Sequence, residues 1–184
     1  MRAIAPLATA LALTIATLAP ASARPMAGGE ARKMQTAVNV YLGAIDRGEA
    51  DRVVAALPPR IKNIFAGSAG IEAGQLDRTL TAQTAALLKS ANFSDFNANF
   101  TGVEATDSVL SDGTTVTWVI VPTSFKAATA KGKTLNEQPL LAVNEGGSWY
   151  MMRVEGAQQK QLVSIAYPFL QNVSFPQSRV SPVN

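Results

Sequence analysis

The chain has 184 residues, 47% hydrophobic and 16% charged, with 16 Lys+Arg against 13 Asp+Glu and a formal net charge of +3. That length suits one domain, and the apolar share is too large for a chain that stays disordered. With no Cys and no His, disulfides, thiolate or imidazole metal sites and every triad built on a histidine base are excluded.

Residues 1–23 read as an export signal. Arg2 supplies the positive start, Leu7 to Leu18 the apolar run, and Ala21-Ser22-Ala23 a small-x-small cleavage site. The run is shorter than the roughly 20 residues needed to span a bilayer, and Pro20 breaks it. The mature chain is therefore expected to start near Arg24 and to be periplasmic or secreted, not an integral membrane protein. Arg2 would leave with the signal, so the net charge falls further. A chain with no clustered basic face is not expected to bind nucleic acid.

Residues 24–29 form a short Pro/Gly leader. From Glu30 the spacing turns helical, with Met34, Ala37, Val38, Tyr41, Leu42 and Ile45 on one apolar stripe that stops at Gly48. A short helix is predicted over 49–57, closed by Pro58-Pro59, and another over 60–66 with Ile61, Ile64 and Phe65 inward. A fourth runs over 73–91, with Leu76, Leu80, Leu87 and Leu88 on one side.

At Phe93 the period changes to two. Phe96, Ala98 and Phe100 alternate with polar residues in a first strand, and 103–110 follows. Asp112-Gly113 is a hairpin signal, and the β-branched stretch 114–121 is a strand that Pro122 ends. Residues 125–136, carrying Lys126, Lys131 and Lys133, read as a polar, solvated loop. Strands are predicted at 138–144 and 148–155, joined by Glu145-Gly146-Gly147, then a helix over 158–167. Residues 30–170 make the domain and 171–184 a loose tail. The predicted class is α+β: N-terminal helices on one face of a curved four-stranded antiparallel meander, followed by a C-terminal helix.

Strand alternation puts Phe96, Val116, Trp118, Ile120, Tyr150 and Met152 on the helix-covered face. The other face carries Val119, Trp149, Met151 and Arg153. Trp149 and Met151 are too large and apolar to stand bare in water. Two kinds of cover suit them: a partner, in the simplest case a second copy forming a homodimer, or the chain's own C-terminal helix or tail. Tyr41, Trp118 and Tyr150 are the candidate lining of a small apolar pocket between helix and sheet. Asp46, Glu49 and Asp51 cluster between two helices, where carboxylates serve helix ends.

The segment Ala37-Val38-Asn39-Val40-Tyr41-Leu42-Gly43-Ala44-Ile45-Asp46-Arg47-Gly48-Glu49-Ala50-Asp51 and the late strand Gly146-Gly147-Ser148-Trp149-Tyr150-Met151-Met152-Arg153-Val154 resemble the cystatin-like α+β cone of the NTF2-like superfamily. A short strand between the early helices, present in many members, has no counterpart here. The resemblance implies a helix laid over a curved sheet, in a superfamily of cofactor-free isomerases and dehydratases, ligand binders and assembly modules. Its ketosteroid isomerase type sets a first-helix Tyr, here Tyr41, beside two carboxylic acids, and no carboxylate falls on the apolar strand positions. Its scytalone dehydratase type relies on His, which is absent.

The expected function is thus a non-catalytic exported module that binds a small apolar ligand or assembles through its open sheet face. No catalytic residue, metal or cofactor is expected. The alternative is a cone-fold isomerase or dehydratase using Tyr41 as hydrogen-bond donor to a small apolar molecule. If the export reading is right, N-terminal sequencing of the protein secreted by a bacterial host returns Arg24 as the first residue. Retention of Met1 in the exported material would refute it.

Overall fold

The computed structural model describes residues 22–90, 92–129 and 132–183; the export run over 1–21 and Lys131 lie outside them. Among the described residues there are five α-helices and one seven-stranded antiparallel sheet. A two-residue strand, Ala23–Arg24 (β1), leads into Gly28–Asp46 (α1), Ala50–Ala55 (α2), Pro59–Ala69 (α3) and Ala73–Ser90 (α4). The strands Asn92–Ala98 (β2), Ala105–Val109 (β3), Thr115–Thr129 (β4), Gly132–Glu145 (β5) and Ser148–Arg153 (β6) follow. Gly156–Ala166 (α5), a 3₁₀ turn at Pro168–Asn172 and Arg179–Val183 (β7) complete the chain.

The sheet is built on a long ribbon of β4 and β5, not on a four-stranded meander. Pairing runs from Thr117 opposite Asn144 to Thr129 opposite Gly132. Pro122 does not end β4. It sits opposite Pro139, and its carbonyl accepts the Asn99 N–H at 2.9 Å. In an antiparallel strand the N–H and C=O of a residue point to the same side, so the edge of Pro122 faces away from β5. On that outer side β3 pairs with β4 as far as Trp118, and β2 pairs from Thr123 onward. Pro139 occupies the matching gap in β5, between β6, which begins opposite Leu140, and β7, which ends opposite Glu137. The missing N–H groups fall where one flanking strand has stopped and the next has not begun. The expected loop over 125–136 is therefore the far half of the ribbon, and the expected loose tail supplies a strand, β7, to its edge.

Both faces of the sheet are covered, which corrects the one-sided expectation. Val116, Leu141, Val143, Met152 and Val154 pack with Ile61 of α3, Val163 and Ala166 of α5, and Tyr167 and Leu170. Val119, Val121, Leu140, Ala142 and Met151 pack under Met34, Val38, Tyr41 and Leu42 of α1. Phe96, Ala98 and Phe100 lie with the α1 side, opposite to the face expected from parity. The register of β2 shifts between Ser94 and Asn97, and alternation within one strand says nothing about parity across such a bulge. The partner surface expected over Trp149, Met151 and Val119 is occupied within the chain: Val119 is 0% and Met151 1% exposed.

Gly48, at φ 70°, turns the chain out of α1, and the Glu49 N–H returns to the Ala44 carbonyl at 2.8 Å. α4 packs on α2 and α3 through Leu76, while Leu87 points outward at 58% exposure. The leader is tied down as well. Arg24 pairs with Ala105 of β3, and its guanidinium reaches Asp107 at 2.5 and 3.0 Å and Glu30 at 2.8 and 2.9 Å.

Arg24 holds the Glu30 and Asp107 carboxyls below their ordinary values, with Thr117 also donating to Asp107 at 2.6 Å. Both folded pKa values are depressed, so this stabilisation is present above the unfolded carboxylate range and is lost as pH falls through the folded values. Arg24→Met should cost about 1 kcal/mol near neutral pH, because the cluster is partly exposed and screened. That difference from wild type should shrink between about pH 5 and pH 3 in chemical denaturation. A gap that stays constant with pH would show that the cluster does not carry it.

Candidate functional site

Strand alternation in β6 sends Trp149, Met151 and Arg153 toward α1, between the apolar side chains of β4 and β5. Arg153 stands opposite Leu140, beside Gln138 and within reach of Phe125. One guanidinium nitrogen donates to the Gln138 side-chain oxygen, and the guanidinium carbon lies 5.0 Å from the centre of the Phe125 ring. The Gln138 backbone carbonyl, a different oxygen, accepts from the Thr123 hydroxyl at 2.6 Å. From above, Tyr41 of α1 brings its hydroxyl to Arg153. Burial pushes the Tyr41 hydroxyl up, and the neighbouring guanidinium opposes that rise.

The partners of Arg153 are all neutral. Among the described residues no carboxylate pairs with it. Arg24, Arg47, Arg52 and Arg60 have acidic partners, and the other arginines without one, Arg32, Arg78 and Arg179, are exposed. A half-buried cation without an anion is costly, and an aromatic face and an amide oxygen offset only part of the lost hydration. Next to it lies an aromatic wall: Phe96 stacks on Phe125 at 5.4 Å and 21°, and Phe93 meets Phe125 edge-on at 5.4 Å and 81°. Phe96 also lines a cleft of about 570 Å³ between α1 and β2, together with Asn39, Gly43, Asp46 and Asp95. Asp95 has φ 57°, rare for a residue other than glycine, and its carboxylate pairs with Lys126 at 2.9 Å.

The expected pocket residues are not brought together. Tyr41 lies on the α1 side of the sheet. Trp118 lies on the other, stacked on Phe169 at 5.8 Å with its indole N–H donated to Ser108 at 3.1 Å. Tyr150, opposite Val143, is on the Trp118 side. The sheet itself separates them. Trp149, Met151 and Val119 do share a face, beneath α1. The Trp149 indole N–H is buried there with no acceptor among the described residues. Glu49 caps neither helix with its side chain and pairs instead with Arg47 and Arg52. Phe125 falls in the expected loop because Pro122 reads as a strand end; Gln138 lies in the predicted strand 138–144, and its place beside Arg153 is set by the β5–β6 pairing. Arg153 carried a readable signal, a lone charge in register with Trp149 and Met151.

A second polar cluster lies on the opposite face. The Tyr167 hydroxyl donates to Glu145 at 2.9 Å, and Arg60 donates to Glu145 at 3.0 Å and to Asp112 at 2.9 Å. Burial pushes the Tyr167 hydroxyl up, and the Glu145 carboxylate adds to it. Thr114, through its hydroxyl and its backbone N–H, and then Arg60 hold Asp112 at about 2. Every charge here has an opposite, and the cluster bolts α3 and the end of α5 to two hairpin turns. It is construction.

No protein-family model, curated protein or solved structure matches the chain. Among the described residues no helix is long and apolar enough to cross a membrane, and no group of three or more carboxylates is placed to hold a metal ion.

The two arginines should answer differently to the same change. Arg153→Met removes an uncompensated charge and should raise stability by about 1 kcal/mol, as at sites kept for function. Arg60→Met leaves the half-buried Glu145 without its cation and should lower stability by about 1–3 kcal/mol. Urea midpoints of the two variants test this, and a loss for Arg153→Met as large as for Arg60→Met would make Arg153 a structural residue.

Proposed function

We propose that the chain is an exported, non-catalytic binding module that holds a small ligand with an apolar body between α1 and the sheet. The observation that carries this reading is the half-buried Arg153 guanidinium, held by the neutral groups Gln138, Tyr41 and Phe125. Charge kept in an apolar layer at a cost to stability is what a binding site requires and a filled core does not. The cone resemblance, with a first-helix Tyr over a curved sheet, agrees with that placement. Export rests on the Arg2, Leu7–Leu18 and Ala21-Ser22-Ala23 pattern.

A cone-fold isomerase or dehydratase needs a carboxylic acid beside Tyr41 to move a proton. The charged side chain that shifts Tyr41 is Arg153, and the carboxylate–tyrosine pair found among the described residues, Glu145 with Tyr167, is neutralised by Arg60 on the far face. Those features favour binding over turnover. Assembly through an open sheet face has lost its surface to α1.

The test is a thermal-shift panel of small apolar acids, amides and neutral compounds, followed by recovery of each hit for mass analysis. A ligand at a hundredfold excess over its Kd adds about 2.7 kcal/mol, roughly 5–10 °C for a domain of this size. The reading expects a shift and an unchanged compound. A converted compound would establish an enzyme, and a flat response across the panel would remove the site.

A further inference from the structure

We infer that the chain carries a second binding site, a groove across the sheet on the face turned away from α1, and that its ligand is a short neutral oligosaccharide. The groove encloses about 620 Å³ where β3 gives way to β2 and β6 to β7. Ile120, Pro122 and Pro139 form an apolar floor, and Pro176 and Gln177, just before β7, form one wall. Beside that floor the strand registers line up a polar row. Asn97 of β2 stands opposite Ser124 of β4, Ser124 opposite Glu137 of β5, and Glu137 opposite Arg179 of β7. Residues directly opposite in a sheet share a face, so the row crosses four strands on one side, about 14 Å for three inter-strand spacings. Asn97, Glu137 and Arg179 are exposed, and among the described residues none of the four side chains makes a hydrogen bond or an ion pair. At one end Asn99 joins them. Its side-chain oxygen accepts the Thr101 N–H at 2.9 Å, which leaves its two amide donors open.

An apolar row beside a polar row is the complement of a sugar. A pyranose ring carries hydroxyls around its rim and C–H bonds on its faces. Hydroxyls both donate and accept, and the amides, hydroxyl, carboxylate and guanidinium of the groove supply partners of both kinds. The paired prolines and Ile120 suit the ring faces. Glu137 and Arg179 cancel in charge, so an acidic ligand meets Glu137, a basic one meets Arg179, and a neutral one meets neither penalty. An extended peptide fits less well. Peptides that join a sheet pair with the main chain of an open edge, whereas this groove runs over side chains across β4 and β5, the two inner strands of the ribbon. This site and the one under α1 lie on opposite faces of the sheet, so either stands without the other.

The experiment is an NMR titration of the ¹⁵N-labelled mature chain into the millimolar range with cellotetraose and maltotetraose as neutral probes. Tetragalacturonate, the chitosan tetramer and decaproline are the competitors. At least one neutral tetramer should move the side-chain amide signals of Asn97, Asn99 and Gln177 and leave those of Gln75 and Gln83 on α4 in place. Asn97→Ala and Gln177→Ala, both at exposed positions, should each weaken that tetramer by about 2- to 10-fold, the loss of one hydrogen bond. Both charged tetramers should bind more weakly than the neutral one. A preference for either charged tetramer would overturn the neutral class, and a preference for decaproline would overturn the saccharide in favour of a peptide. Shifts that spare the three groove amides, or no shift with any saccharide, would overturn the site, and neither result touches the reading of the α1 face. The amide signals come from the unaltered protein, so they decide the matter even if a variant does not fold.

Discussion

Along half of its length the β4–β5 ribbon is apolar on both faces, and neither face can be left in water. Val116, Leu141 and Val143 point one way, and Val119, Val121, Leu140 and Ala142 the other. Burying one such side chain is worth roughly 1.5–3 kcal/mol, so a one-sided cover would forfeit a large part of the folding free energy. The helices divide accordingly, α1 and α2 to one side, α3 and α5 to the other. This division removes the bare surface that a meander with helices on a single face would have offered to a partner.

The far half of the ribbon is governed by different chemistry. Beyond Pro122 and Pro139 the flanking strands change from β3 and β6 to β2 and β7. Phe125, Gln138 and Arg153 stand at that transition, where α1 still covers the sheet through Tyr41 but the packing is no longer purely aliphatic. A charge can be held there because the amide, the hydroxyl and the ring face share its solvation.

Arg153 and Arg60 show how one residue type serves two ends. Arg60 is paired with Glu145 and Asp112 and closes a cluster in which nothing is left to bind. Arg153 faces neutral groups, the Gln138 amide oxygen and the Phe125 ring, and no carboxylate among the described residues pairs with it. Ion pairs that cancel tie elements together, whereas a half-buried charge without its opposite is held at a cost to stability.

Much of this protein was legible along the chain. The stripe Met34–Val38–Tyr41–Leu42, the prolines after α2, the turn at Asp112-Gly113 and the alternation of β4 and β6 are local patterns, set by how 3.6- and two-residue periods sort apolar side chains. The α+β class followed from their order. Which face each helix covers, which side the β2 phenylalanines join, and whether Pro122 ends a strand or sits in a gap between two neighbours depend on pairing between distant segments. Periodicity carries no record of that pairing. Tyr41, Trp118 and Tyr150 look like one pocket in sequence because each is aromatic and inward; only the sheet between them decides that they are apart. Arg153 has meaning only in three dimensions, since the absence of an opposite charge is a property of its neighbours in space and not of its place in the chain.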